Sequence, residues 1–281
     1  MRSRVLPHVA ALTFASLLAA CGSRTGLREA PYQPALPYDA SADAPPACDA
    51  SVPHAYAADS AGTLYRYDPL TGQATRLGTA SCGMSGGIWT MTATRQHAFL
   101  VDDANWSLYQ VDLATMRCSR TAFSIGALGV QAAFGVAAAD TGAGERVYVY
   151  GLPGGSGTPA LFACDTSSFQ CTSIGALHPA PAGAFPVNLT WNEQTGHLFA
   201  FAPQLTGANV FELDPRDATV LSSSSTGVTT NSTWATIAYG SNLLLWVGSD
   251  VVGYDLAARA RTTTHGGAPP AVGASGFLDC P

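Results

Sequence analysis

Leu64-Tyr65-Arg66-Tyr67-Asp68-Pro69-Leu70-Thr71-Gly72 is the stretch on which the reading of this chain turns. Five residues suited to a strand end on an aspartate, and a proline and a glycine follow to set up a turn. The opening phrase returns as Leu108-Tyr109-Gln110-Val111-Asp112, Leu161-Phe162-Ala163-Cys164-Asp165, Val210-Phe211-Glu212-Leu213-Asp214 and Val251-Val252-Gly253-Tyr254-Asp255. Its aspartates lie 44, 53, 49 and 41 residues apart. A period of about 40–50 residues built from short strands is the signature of propeller blades.

Each copy has the same neighbours in the same order. Upstream sits a second strand, at residues 54–57, 97–100, 147–150, 197–200 and 243–246. Downstream the aspartate opens a turn into a polar strand, where proline fixes φ and glycine supplies positive φ. Further upstream an apolar innermost strand is predicted at residues 88–94, 134–139, 187–191 and 234–239, ahead of blades 2 to 5. Blade 1 has none, whereas residues 271–280 form a strand without a blade. The chain is therefore expected to be an all-β, five-bladed propeller whose blade 1 is completed by the C-terminal strand, which removes two open sheet edges. The five aspartates read as caps of the hairpin turns. A calcium site would need about 6–8 oxygens converging, and no Asp-x-Asp-x-Asp-Gly loop occurs.

Ahead of the repeat, residues 1–20 read as a signal peptide, with Arg2 and Arg4 before an apolar stretch from Val5 to Leu18. That stretch is too short, and broken too early by Pro7 and His8, to span a bilayer comfortably. Leu18-Ala19-Ala20-Cys21 has the form of a lipobox, which makes Cys21 the expected lipid-attachment residue. Residues 21–47 then form a Pro/Ala-rich tether carrying Pro31, Pro34, Pro37, Pro45 and Pro46, and residues 48–281 form the propeller domain. The expected location is the bacterial cell envelope, with the protein anchored to the membrane and facing the periplasm or cell surface.

Composition narrows the function. Glycine and proline together fill 47 of 281 positions, which favours turns over helices. Only 11% of residues are charged, against about 25% in an ordinary soluble domain. There is no lysine, the formal charge is −6, and no basic run exists, so a nucleic-acid partner is not expected.

The lipobox, the Leu-Tyr-Arg-Tyr-Asp-Pro-x-Thr-Gly phrase, Leu189-Thr190 ahead of the segment from His197 to Phe201, and the terminal Cys280-Pro281 together resemble a family of lipid-anchored β-propeller lipoproteins of the myxobacterial type. The resemblance covers roughly residues 52–281 and implies fold and location. It carries no set of catalytic residues.

Setting Cys21 aside leaves six cysteines, an even number that suits disulfides in an exported chain. The expected pairs are Cys164–Cys171 across one hairpin, Cys48–Cys280 joining the ends of the domain, and Cys82–Cys118 between blades 1 and 2. No Cys-x-x-Cys or paired Cys/His spacing points to zinc, and no metal or cofactor is expected.

The remaining motifs give weak leads to chemistry. The segment from Gly83 to Gly87 fits Gly-x-Ser-x-Gly, but a strand follows it where a nucleophile elbow needs a helix, so it reads as a glycine-rich connection. His54, His97 and His197 recur at one blade position, beside turns, and read as polar caps at the rim. Asp102, Asp103 and Asp140 are the best candidates for catalytic acids, although nothing in the sequence pairs them. Aromatic residues point to binding: Trp89, Trp191 and Trp234 lie on predicted inner strands, while Trp106 follows Asn105 in a polar loop that implies exposure. The expected function is non-catalytic binding or scaffolding of a protein or glycan ligand by a monomer; the alternative is a polysaccharide-active propeller hydrolase or lyase.

Overall fold

The computed structural model describes residues 53–141, 144–181, 187–203, 207–229 and 233–278. They form five four-stranded antiparallel sheets arranged as a five-bladed β-propeller. Blade 2 is β4 (Ile88–Ala93), β5 (His97–Asp102), β6 (Ser107–Asp112) and β7 (Cys118–Ser124). A short 3-10 turn, Ile125–Leu128, leads to blade 3: β8 (Val130–Asp140), β9 (Glu145–Pro153), β10 (Ala160–Asp165) and β11 (Cys171–Ala176). Blade 4 is β12 (Asn188–Asn192), β13 (His197–Ala202), β14 (Asn209–Leu213) and β15 (Val220–Ser225). Blade 5 is β16 (Trp234–Tyr239), β17 (Asn242–Val247), β18 (Asp250–Asp255) and β19 (Ala260–His265).

Blade 1 joins the two ends of the chain. Its β1 (Pro53–Ala58), β2 (Thr63–Tyr67) and β3 (Ala74–Thr79) are completed by β20 (Gly273–Leu278) as the innermost strand. The pairing runs from Pro53 opposite Leu278 to Ala58 opposite Gly273. Closure by the C-terminal strand is therefore as expected. The difference is in blade 3, where the inner strand extends from Val130 through two register irregularities instead of starting at Phe134.

Register is common to all blades. The first residue of each phrase lies opposite a second-strand residue that in turn faces the inner strand. This links Leu64–Ala58–Gly273, Leu108–Val101–Thr90, Leu161–Tyr150–Gly135, Val210–Phe201–Asn188 and Val251–Trp246–Ala235. A β-bulge interrupts the pairing of third and outer strands in every blade, which adds local twist.

The core lies in the wedges between blades. Phe99, Val101, Val136 and Val149 fill the wedge between blades 2 and 3, and Phe199, Phe201, Leu243 and Leu245 fill that between blades 4 and 5. Between blades 5 and 1 the rings of Tyr67 and Trp246 meet edge to face, with centroids 4.5 Å apart. Burial pushes the Tyr67 phenol up to about 12. Outer strands are exposed and polar, with Ser, Thr and Arg on β3, β15 and β19.

Each phrase aspartate caps its turn. Asp68 accepts from the amide of Leu70 at 2.8 Å, Asp112 from Thr115 at 2.7 Å and Asp165 from Ser168 at 2.9 Å. Asp214 accepts from Arg216 at 2.9 Å and Asp255 from Ala258 at 2.6 Å. The residue four places on has positive φ in every blade: Gly72, Met116, Phe169, Ala218 and Arg259. The glycine expected there is present only in blade 1.

Disulfides join Cys82 to Cys118 and Cys164 to Cys171, as expected. Cys48 and Cys280, together with Cys21, lie outside the described residues.

Candidate functional site

The inner strands run side by side around the channel, all starting at one face, called upper here, and ending at the lower face. The hairpins between second and third strands share the upper face; those between third and outer strands share the lower. Each inner strand leaves an unpaired edge toward its neighbour, and side chains satisfy part of it. Thr92 Oγ1 accepts the amide of Ala138 at 2.6 Å, Thr190 Oγ1 accepts that of Ala238 at 3.2 Å, and Ser275 Oγ donates to the Ala93 carbonyl at 2.9 Å. These hydroxyls occupy one register level, and each reaches the next blade around the ring.

One level higher the channel is plugged. The five residues there are Gly273, Thr90, Gly135, Asn188 and Ala235, so the asparagine carries the longest side chain of the ring. Asn188 is 1% exposed. Its Oδ1 accepts the amide of Thr236 in blade 5 at 2.9 Å, and its Nδ2 donates to Thr90 Oγ1 in blade 2 at 3.0 Å. Blades 2 and 4 are not neighbours, so the second bond crosses the channel. The small partners are required by space. A β-carbon on Gly135 would come 2.9 Å from the Val187 carbonyl, and one on Gly273 would fall on the Met91 amide.

Above the plug lies a cup of about 250 Å³. Ile88, Trp89, Thr90, Val187, Asn188, Thr233, Trp234 and Val272 line it among the described residues. Trp89 is the extra residue of a β-bulge, because Ile88 faces Asp102 while Thr90 faces Val101. The bulge turns its indole away from the wedge and leaves it 41% exposed. Trp234 opens β16 and is half-buried, packing partly against the wedge between blades 4 and 5.

The other two tryptophans expected to bind ligand are placed elsewhere. Trp191 stacks on Tyr148 between blades 3 and 4, with ring centroids 5.8 Å apart and planes 10° from parallel. Trp106 has a φ of 58° and, contrary to the exposure expected of its loop, is half-buried against the cluster between blades 2 and 3. That wedge offers it apolar contacts that its polar sequence neighbours do not announce.

Asp102 sits beside the cup as a clamp. It is fully buried and accepts from the amides of Ser85 and Ala104, each at 2.9 Å, and from the Ser85 hydroxyl at 3.1 Å. Asn105 Nδ2 donates to both Asp102 Oδ2 at 3.1 Å and Ser85 Oγ at 2.8 Å. Burial raises the Asp102 carboxyl, but donors from Ala104, Ser85 and Gly86 outweigh it and hold the group below its ordinary value. The segment from Gly83 to Gly87 is thus the inter-blade connection expected, tied down by Asp102. Asp103 is exposed, and its amide bonds the Gly87 carbonyl at 3.0 Å.

Asp140 ends β8 at the lower face, so the structure does not bring it to Asp102 and Asp103. It joins a charged network there, 3.6 Å from Arg95, which also pairs with Glu193 at 3.2 Å. Glu145 receives the Thr94 hydroxyl and lies 3.1 Å from His97 Nδ1. His197 pairs with Glu212 at 2.8 Å. His97 and His197 therefore have carboxylate partners at the rim; the His54 side chain lies outside the described residues. Among the described residues, no three His, Cys, Asp or Glu side chains gather as a metal site.

Sequence reading found the two cup tryptophans but missed Asn188, Thr90 and the apolar wall of Ile88, Val187 and Val272. The available signal was an amide inside the mostly apolar stretch at 187–191.

No protein-family profile matches the chain, and no curated protein matches it in sequence. A crystal structure of a nidogen/laminin complex contains a similarly folded chain, with 15% identity, 82% of each chain covered and a TM-score of 0.51. Glutaminyl cyclase from Myxococcus xanthus aligns with 16% identity over 67% of this chain and 69% of that one, at a TM-score of 0.41. TolB from Acinetobacter baumannii aligns with 15% identity over 79% and 54%, at a TM-score of 0.44. The first of these likenesses is one of fold.

Proposed function

We propose that this chain is a lipid-anchored, non-catalytic recognition module of the bacterial cell envelope, which binds a protein or glycan ligand in the cup at its upper face. The observation that carries the reading is the pairing of Trp89 and Trp234 over a polar floor, in a cup with no charged lining residue among those described. Two indoles converging on a blind cavity form a recognition surface, whereas hydrolysis of a glycoside needs two carboxyl groups facing the same bond. The upper-face acid that is buried, Asp102, is saturated by the loops it holds.

Chain direction supports the anchoring part. Strand β1 begins at Pro53, opposite Leu278 at the lower end of the channel. The described chain therefore begins at the face opposite the cup, which is compatible with attachment through residues that precede Pro53. The same pairing sets Pro53 opposite Leu278, the described residues nearest Cys48 and Cys280 in sequence, which supports the expected third disulfide.

Two measurements on the full chain test this. Cys21→Ala is expected to abolish acyl labelling and release the protein from the membrane fraction; retention in that fraction defeats the anchor. A glycan array and a cell-envelope protein overlay, read beside a polysaccharide turnover screen, are expected to show binding without product. Product release that Asp102→Asn or Asp103→Asn abolishes would replace recognition by catalysis.

A further inference from the structure

We infer that the cup takes an aromatic side chain presented by a partner protein next to a cationic residue; this rests on the recognition reading above and narrows its ligand from protein or glycan to protein. The first ground is the hydrogen-bonding state of the floor. Asn188 spends its Oδ1 on the Thr236 amide and donates from Nδ2 to Thr90, so the two floor side chains are already engaged with the plug. A pyranose entering the cup brings several hydroxyls, each costly to bury without a partner. The walls are two indoles, the aliphatic Ile88, Val187 and Val272, and Thr233, so the hydroxyls of a sugar ring outnumber the polar groups that could meet them, one threonine hydroxyl and the indole N–H donors. A planar apolar ring carries no such cost and meets the indoles by stacking or edge to face.

The second ground is size. At about 250 Å³ among the described residues the cup suits a single ring, and small-molecule sites generally run larger, about 300–1,000 Å³. A single anchoring side chain on a loop matches that volume, and aromatic anchors in dry pockets dominate protein interfaces.

The third ground is charge at the rim. Asp103 is exposed beside the connection that delivers Trp89, and its carboxylate has no side-chain partner among the described residues. The arginines that reach the same face from outer strands are engaged: Arg120 with the Ser107 hydroxyl at 2.7 Å, Arg261 with the carbonyls of Thr226 and Gly227. The rim thus offers an uncompensated negative charge next to an apolar socket. Its complement is a ring flanked by lysine or arginine.

Nitrogen-15 labelling of the indoles in the full chain, titrated with p-cresol and separately with methyl β-glucoside and methyl β-galactoside, tests the socket. p-Cresol is expected to shift the indole signals of Trp89 and Trp234, and the glycosides to leave them unmoved. Trp89→Ala is expected to weaken p-cresol at least about tenfold, and because Trp89 is exposed the variant keeps its fold; Trp234→Ala is the second variant. Glycosides moving both signals while p-cresol does not would overturn the aromatic ligand and leave recognition standing. Silence toward all three probes would overturn both readings, and unchanged p-cresol affinity in both variants would overturn the site. For the flank, acetyl-Lys-Tyr-Lys-amide is expected to bind several-fold tighter than acetyl-Glu-Tyr-Glu-amide, with Asp103→Asn narrowing the gap; equal affinities overturn the cationic neighbour.

Discussion

The turn that ends each phrase shows how little the fold asks of one residue. Gly72, Met116, Phe169, Ala218 and Arg259 all occupy the left-handed region, where an L side chain costs roughly 1–2 kcal/mol. Arg259 is exposed, so its replacement by glycine is expected to raise stability, by about 0.5–1 kcal/mol after the added freedom of the unfolded chain is subtracted. Urea unfolding of Arg259→Gly beside the parent measures it; a loss would mean that the guanidinium does work not visible in the turn. The capping aspartates add a pH dependence. Ser167 and Ser168 hold Asp165 down to about 2, and Asp68, Asp102, Asp112 and Asp214 are also held below 3.8. Each is a stronger acid folded than unfolded, so its contribution is complete above about 4 and is lost as pH falls toward 2. Melting temperature is expected to be flat above pH 5 and to fall across that window. Asp102→Asn should be less stable at neutral pH and show a shallower acid fall, whereas two parallel curves would remove Asp102 from the linkage.

At the scale of elements, the inner strands differ most from what a blade repeat implies. Hairpins are local, so the phrase and its turn announce themselves in five consecutive residues. The channel level formed by Gly273, Thr90, Gly135, Asn188 and Ala235 draws one residue from each blade and has no local signature. Asn188→Ala orphans the buried Thr236 amide and the bond to Thr90, and is expected to cost about 3 kcal/mol in equilibrium unfolding. Thr92→Val removes one bond, to Ala138, and should cost roughly 1–2 kcal/mol. Equal costs for the two variants would show that the asparagine is not the plug. The disulfides also differ in reach. Cys82–Cys118 closes a separation of 36 residues and Cys164–Cys171 one of 7. Chain entropy assigns about 4 and about 2 kcal/mol to them, so Cys82→Ser with Cys118→Ser should be the more damaging pair of changes.

For the whole molecule, closure is the main structural commitment. Without β20 the inner edge of β1 is open, and the ring loses the Ser275 bond to Ala93 and the packing of Ala274 and Ala271 against Trp246. Deleting residues 271–281 is expected to abolish the single cooperative transition seen by calorimetry; a variant melting as hot and as sharply as the parent would dismiss the closure. The two faces of the disc differ in chemistry. The lower carries the paired charges of Arg95, Asp140, Glu193, Glu145 and His97. The upper carries the cup, which has no charged lining residue among those described.

The blade period and the Cys164–Cys171 pair were determined by sequence alone, because each follows from hydrophobic alternation, turn residues or cysteine positions within a short window. The closing strand was legible as a segment with no blade of its own, and Cys82–Cys118 only as the pair left over. The sorting of the tryptophans was decided by tertiary structure. Trp89 and Trp234 share a cup while Trp106 and Trp191 fill wedges, since a side chain's surroundings here come from other blades. The same holds for Asn188, whose partners Thr90 and Thr236 lie 98 and 48 residues away. A ring closed by its own ends fixes those distances only once every blade is in place.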